Sequence, residues 1–529
     1  MGLLQKLKGV LKGMISSKTL ESVLKLTPTV SNTMQTAIEL WEDMYMDKAP
    51  WLNENVKSLG LPALIASEKA RTATIEMEVK ITGGNERATF IEEQFKKFLW
   101  VIRVQLEYGI ALGGLVVKPY VVLGPDNKYQ IEFNFTKASG FYPLSFSPEG
   151  KVTEAAFIDR MVSKDTIYSK LEYHKLEGTT LTVKNMAFKS RNLAQAQTTG
   201  NAPTLNELGT PIELSEVSAW ANIAPEAVID NVDTMLFAYF KMPQANNVDL
   251  DSPLGVSGFS RAVELIKDAD AQYSNLLWEF EGGQLAIDVD RTALNPTHDY
   301  EGKRAAVLPK LQDRLYRRNL DMGDDSVYNV FSPALRDTSI INGLNAILTK
   351  IEDACFLSRG ALSHIQYTDA RTATELKILK QRSFSANRDI QKELENVMKC
   401  TLRIIDKYCD LYDIVPAGDY EAAFSWDDSI IVDKDSERQQ DLIEVKDGLM
   451  SKLEYRMKWY GETEEQAKES LGIIDDEKEA QLQLVQLTAI ANQNAQNGNT
   501  KDNGSDTTEA QASQNKKQRA NESNETTKK

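Results

Sequence analysis

Asp427 and Asp428 are adjacent, and Asp433 and Asp435 follow them closely. A two-metal nuclease would need carboxylates of this kind to converge on ions about 4 Å apart. Successive residues of an extended segment point to opposite faces, so the first pair would partly diverge. A solvated acidic loop, or negative charge at the start of a following helix, accounts for these residues better. His174, His298 and His364 are far apart and show no metal-ligand spacing, so loop or surface positions are expected, not a general base. The chain has no Gly-x-x-x-x-Gly-Lys-Ser/Thr phosphate cradle and no Gly-x-Ser-x-Gly nucleophile turn. Cys355, Cys400 and Cys409 form no CxxC pair, which argues against zinc or a disulfide framework and fits a reducing cytosolic interior. The chain therefore reads as no enzyme, and no metal or cofactor is expected.

Charge narrows the remaining classes. With 61 Lys+Arg and 77 Asp+Glu the formal net charge is −16, which excludes a generally basic nucleic-acid coat. One stretch breaks this trend. Lys303, Arg304, Lys310, Arg314, Arg317 and Arg318 face a single acid, Asp313, within residues 303–318. Two readings stay open: an exposed face making salt bridges, or a docking surface for an acidic partner or nucleic-acid phosphate.

The elements that would position these residues follow from hydrophobic periodicity in a chain of 529 residues, long enough for about three or four domains. No run of about 18 apolar residues predicts a membrane span. Residues 1–26 combine Leu3, Leu4, Leu7, Val10, Leu11, Met14 and Ile15 at helical spacing with Lys6, Lys8, Lys12 and Lys18. They lack the continuous apolar stretch of a signal peptide. A helix docked on its own protein is expected, with weak contact to an anionic membrane surface as the alternative. Residues 31–46 predict a helix with Met34, Ile38 and Trp41 on one side. Strict alternation over residues 74–82 predicts a half-buried strand, and residues 88–106 a helix. Residues 115–123 and 129–135 flank the turn Gly124-Pro125-Asp126-Asn127 and predict a hairpin. Alternation at 155–162, 166–175 and 180–188 extends a mainly antiparallel sheet, so the first 240 residues predict an α+β domain. Helices are then expected at 255–280, 335–357 and 372–412, separated by a short-stranded region at 285–330 and a break at 360–369. A helix of about 40 residues spans about 60 Å, too long for a compact small domain. A strand with an acidic exit at 419–433 and helices at 437–450, 451–459 and 462–471 complete the expected folded part. From residue 492 no apolar residue exceeds alanine in size, and disorder is expected.

Several segments together resemble the portal proteins of long-tailed phages infecting Gram-positive bacteria. They begin with Leu236-Phe237-Ala238-Tyr239-Phe240-Lys241-Met242-Pro243-Gln244-Ala245-Asn246-Asn247, then Ser252-Pro253-Leu254-Gly255-Val256-Ser257 and Leu277-Trp278-Glu279-Phe280-Glu281-Gly282-Gly283. Next come Val330-Phe331-Ser332-Pro333-Ala334-Leu335-Arg336, Leu357-Ser358-Arg359-Gly360 and Thr372-Ala373-Thr374-Glu375. Trp426-Asp427-Asp428-Ser429, Gly448-Leu449-Met450-Ser451 and Tyr460-Gly461 complete the series. Each is weak alone, whereas the ordered series, spanning residues 39–471, is specific. The basic N-terminus and the tail lie outside it.

The resemblance implies an α+β ring-forming portal fold. A basic amphipathic helix (1–30) would precede a mixed wing with an antiparallel sheet (31–254). A first stem helix (255–282), a small clip (283–334) and a second stem helix (335–358) would follow. Next would come a tunnel loop (359–371), a long helix with a wing strand (372–426), crown helices (427–484) and a disordered polar tail (485–529). It further implies a homo-oligomeric ring of twelve subunits in the virion, at one capsid vertex, assembled in the host cytoplasm with scaffolding and major capsid proteins. Terminase would dock there for packaging, double-stranded DNA would pass through for packaging and ejection, and a head-completion adaptor would connect head to tail. Twelve copies would carry roughly −190 formal charges, and a channel so lined repels DNA and lets it slide. Ser363, Gln366, Tyr367, Thr368 and Asp369 would be the tunnel-loop residues approaching DNA, with Arg359 and Arg371 flanking them. The basic residues Lys303, Arg304, Lys310, Arg314, Arg317 and Arg318 would form the clip docking surface. A metal-dependent nuclease built on Asp427 and Asp428, and a membrane-peripheral oligomeric scaffold, are the alternatives.

Overall fold

The computed structural model describes residues 14–26, 29–125, 127–163, 166–191, 208–290, 316–319, 328–364, 373–426 and 434–497. It is a mixed α+β structure with antiparallel sheets, divided into two compact units, Met1–Asp428 and Ser429–Lys529.

The first unit begins with helix α1 (Ser17–Leu24), capped by the Ser16 hydroxyl, and α2 (Asn32–Tyr45), capped by Ser31. Met34, Ile38, Trp41 and Met44 of α2 are buried, the stripe the periodicity predicts. Met14, Ile15 and Leu20 are buried too, and the Ile15 N–H donates to the Tyr142 hydroxyl at 2.6 Å. This stretch of the N-terminal segment is docked on its own protein; residues 1–13 lie outside the described residues.

Helix α3 (Leu61–Thr74) was not legible in the pattern and shortens the expected strand, which as β1 covers Met77–Thr82. Its buried face is built largely of Ala66, Ala70 and Ala73, with Lys69 among them, so no large-residue stripe marks it. Helix α4 (Glu86–Leu112) is capped by Asn85 and buries Ile91, Phe95, Phe98, Ile102, Leu106 and Ile110. It runs longer than residues 88–106.

The expected hairpin forms as β2 (Gly114–Leu123) and β3 (Tyr129–Lys137), antiparallel with Val117 opposite Phe135. The remaining strands of this unit's main sheets are β4 (Phe141–Phe146), β5 (Val152–Ser163), β6 (Thr166–Glu177), β7 (Thr180–Arg191), β8 (Thr210–Ile212), β9 (Glu226–Asp230) and β10 (Ala238–Lys241). One antiparallel sheet has the order β10-β2-β3; the other runs β4-β5-β6-β7-β8, with β9 also on β7. The inner faces of these sheets share one apolar core with α2, α3 and α4.

Helix α5 spans Val263–Gly282, so the expected start at residue 255 is too early. The chain there packs on the end of α4 instead, where the Gly258 N–H donates to the Ile110 carbonyl at 2.8 Å. Gly255 lies against the backbone of Gly113, which ends α4 with φ +85°, and a methyl on Gly255 would fall on the Gly113 carbonyl oxygen. Three short strands follow, β11 (Ala286–Asp290), β12 (Tyr316–Asn319) and β13 (Tyr328–Phe331), with β12 parallel and β13 antiparallel to β11. Then come α6 (Asp337–Ala354) and the 39-residue α7 (Ala373–Leu411). Finally β14 (Glu421–Trp426) pairs antiparallel with β1, Met77 opposite Trp426 and Thr82 opposite Glu421.

The second unit holds α8 (Lys434–Lys446), α9 (Lys452–Tyr460) and α10 (Glu464–Asn497). A reciprocal cap between Ser451 and Glu454 starts α9, and Gly461 at φ +64° ends it. Two expectations are corrected here. The third helix does not stop near residue 471, and the polar tail does not begin at 485, because α10 is continuous for 34 residues across both points. A single Gly472 costs about 1 kcal/mol against alanine, which the helix-forming residues around it offset. Among the described residues no helix is long and apolar enough to cross a membrane.

Candidate functional site

Helices α5 and α6 form an antiparallel hairpin, joined at both ends and tied midway along α5 to residues 51–59. At its base Arg261, just before α5, lies 5.5 Å over the ring of Phe356, just after α6. Lys69 and Cys355 are buried at the same end. Burial pushes the Lys69 ammonium down to about 8 and the Cys355 thiol up to about 12, while their mutual attraction pulls each the other way. Midway, buried Asp270 accepts from the Trp51 indole at 3.0 Å and the Leu59 N–H at 2.8 Å. Burial raises this carboxyl, and those two donors oppose the rise. One turn on, the Ser274 hydroxyl accepts from the Lys57 N–H and donates to the Asp270 carbonyl, both at 2.8 Å.

At the far end Glu279 of α5 takes three hydrogen bonds from Arg336, which directly precedes α6. The Arg336 N–H lies at 2.9 Å and the guanidinium at 3.2 and 2.6 Å. These bonds hold Glu279 below the usual carboxylate range. The β11–β13 sheet is inserted between these two clamped ends. Around it the hairpin leaves Leu277, Trp278, Phe280, Leu335 and Ile341 exposed, Trp278 at 64%.

The chain leaving α6 turns at Phe356, whose φ of 56° is unusual for a residue with a side chain. It then runs back along the helix. Glu352 accepts from the N–H groups of Gly360, Leu362 and Ser363, and from the Ser363 hydroxyl. Asn345 holds both sides of the next residue, accepting from the His364 N–H at 2.6 Å and donating to its carbonyl at 3.0 Å. Beside the hairpin base, a cleft of about 340 Å³ brings together Met242, Pro243 and Gln244, Arg261, Phe356, and Asp389 of α7.

The sequence-predicted residues are placed unevenly. Ser363 is half-buried, with its hydroxyl committed to Glu352. Gln366, Tyr367, Thr368, Asp369 and Arg371 lie outside the described residues, as do Lys303, Arg304, Lys310 and Arg314. Arg317 and Arg318 belong to β12, in register with Asp288 and Val289 of β11. Arg359 is exposed and pairs with Asp353 at 3.0 Å. Asp427 and Asp428 lie outside the described residues.

His174 corrects the expectation of a loop or surface histidine. It sits on β6, 6% exposed, with Nε2 at 2.7 Å from Glu172 and its ring edge-on to Phe157 and Phe237. Glu172 also meets Lys118 and Lys170, each at 3.2 Å. Although burial alone would raise it, the His174 hydrogen bond and the two lysines hold Glu172 well below the usual range. Among the described residues no cluster of histidine, cysteine and carboxylate groups could hold a metal ion.

Sequence reasoning passed over Glu352, Asn345, Asp270 and Glu279. The available signal was spacing: Asn345 and Glu352 stand seven apart, on the face of α6 that also carries Leu348.

No family profile and no curated protein matches the chain. Among solved structures the chain is similar to one described as "Neck of native GTA particle computed with C12 symmetry", with 10% identity over 75% of this chain and 89% of that one and a TM-score of 0.33.

Proposed function

We propose that the chain is a phage portal protein, a ring-forming subunit of the capsid vertex through which double-stranded DNA is packaged and ejected. In this reading α5 and α6 are the stem, the β11–β13 sheet is the clip, and the sheets with α2–α4 are the wing. The chain is not an enzyme; it docks terminase and then head-completion proteins. The ordered series of segments resembling portal proteins supports this, and so does the acidic balance, which disfavours a tight grip on phosphate.

The observation that carries the reading is the hairpin itself. It is clamped internally by Glu279–Arg336, and Asp270 ties α5 to residues 51–59, yet its far half presents Leu277, Trp278, Phe280, Leu335 and Ile341 to solvent. Clustered large apolar residues on a rigid two-helix arm call for cover, and a head-to-tail ring supplies it through two different complementary faces per subunit. Residues 366–369 are proposed as the loop approaching DNA, and residues 303–318 as the docking surface for terminase.

Negative-stain images of the purified full chain test this directly. End-on views should show an annulus with a central hole wide enough for a duplex. Solid particles or monomers at micromolar concentration would remove the proposal.

A further inference from the structure

Glu352 is 0% exposed, and among the described residues its charge is met by no cation. Backbone donors meet it instead: Oε1 accepts from Gly360 at 3.1 Å and from Leu362 and Ser363 at 2.7 Å each, while Oε2 accepts the Ser363 hydroxyl at 2.8 Å. Backbone N–H groups converging on one anion act as a nest does, and a carboxylate lost from water is tolerated only with such satisfaction. The Glu352 carbonyl also accepts from the Leu357 N–H at 2.9 Å, so one residue fixes both the turn and the segment after it. Asn345 lies about 10 Å back along the helix at 1.5 Å per residue, and pins His364 there.

We propose that Glu352 and Asn345 are positioning residues that lock residues 360–364 onto α6 and so set the height at which the chain leaves the stem. The inference rests on the portal reading, in which that height fixes where the chain meets the DNA path. The polar pair is needed for this because residues 360–364 offer little apolar area to hold them: Ala361 and His364 are exposed and Leu362 only half-buried. Any shift of α6 is carried to this segment through four bonds to one carboxylate and two to one amide.

The variants separate reach from charge. Glu352→Gln keeps an oxygen for the three N–H groups and an amide that can donate to the Ser363 hydroxyl oxygen. Glu352→Asp keeps the charge but withdraws it by one methylene. Hydrogen exchange of the full-length protein should show the amides of Gly360, Leu362 and Ser363 exchanging about tenfold faster in Glu352→Asp, and Asn345→Ala should do the same at His364. Glu352→Gln should stay within about threefold of wild type. Heads assembled with Glu352→Asp or Asn345→Ala should package DNA more slowly than those with Glu352→Gln, with the same yield of rings.

Unchanged exchange in Glu352→Asp overturns the latch, and normal packaging despite faster exchange overturns its role in placing the segment. Should Glu352→Asp fail to assemble, Asn345→Ala and Ser363→Ala decide: slower packaging by intact rings supports the inference, normal packaging refutes it. Wild-type protein that forms no annulus defeats the portal reading alone, because exchange at 360–364 is read on the subunit.

Discussion

Arg87 donates to the Asp406 carboxylate at 2.7 Å, joining the first turn of α4 to the last turns of α7 across 319 residues of sequence. The same guanidinium donates to the Asp406 carbonyl, to the Asp410 carboxylate at 2.8 Å, and to the carbonyls of Val415 and Pro416. All five of its donors are thereby used. Arg87 is 3% exposed, so these bonds replace water completely. They fix the segment that returns from α7 to pair β14 with β1.

Removing this hub should be costly. Arg87→Ala leaves three carbonyls and two part-exposed carboxylates without their donor, and a loss of about 2–3 kcal/mol is expected. Arg87→Lys should recover less than half of that, since one ammonium cannot match the fork. Urea unfolding of the two variants checks this, and a loss under about 1 kcal/mol in Arg87→Ala would contradict it.

Lys69 gives a pH dependence of defined sign. Its folded value of about 8 lies below the ordinary 10.5. Between those values the unfolded chain holds a proton the native one has released, so stability rises with pH through that window. Cys355, pushed from 9.0 up to about 12, acts oppositely from pH 9 upward, because there the native state keeps the proton. Lys69→Met should therefore be more stable than wild type below pH 8, with the gap narrowing by about 1 kcal/mol between pH 8 and 9. Urea midpoints at pH 7.5, 8.5 and 9.5 measure it; a constant gap would show that Lys69 keeps an ordinary affinity for its proton.

The hairpin β2–β3 was legible because two apolar segments, the second strictly alternating, flank a Gly-Pro-Asp-Asn turn, and the long helix α7 because its stripe is unbroken by glycine or proline. Strand β10 was not, because four residues are too few to show a period. Helix α3 hid behind alanines and a buried lysine. In the hairpin, periodicity located both helices, but Glu279 and Arg336 clamp them and Asp270 anchors α5 to residues 51–59, and all three read as solvent-facing in any stripe. Glu352 is the sharpest case: its partners are backbone N–H groups of a segment eight to eleven residues on, and composition records no backbone.

Arg317 and Arg318 stand on β12, beside Asp288 and Val289 of β11 in backbone register. If residues 303–318 dock terminase, reversing both arginines to Glu should slow packaging about tenfold. The yield of rings should be unchanged. Packaging in extracts complemented with the variant reads the effect, and a wild-type rate would remove the docking role.

Trp278 separates folding from assembly. It is 64% exposed on α5, with Leu277 and Phe280 exposed beside it, and none of the three is needed to hold the hairpin that Glu279 and Arg336 clamp. Trp278→Asp should therefore leave the circular dichroism and the melting of the isolated subunit unchanged. A buried tryptophan anchor is worth about 2 kcal/mol or more to an interface. In the proposed ring, which would have as many interfaces as subunits, the loss would recur at every joint, and assembly should fail at concentrations where the wild-type ring closes. Light scattering after size-exclusion chromatography distinguishes the outcomes. Rings of wild-type mass at wild-type concentration would mean that this apolar arm faces something other than a neighbouring copy.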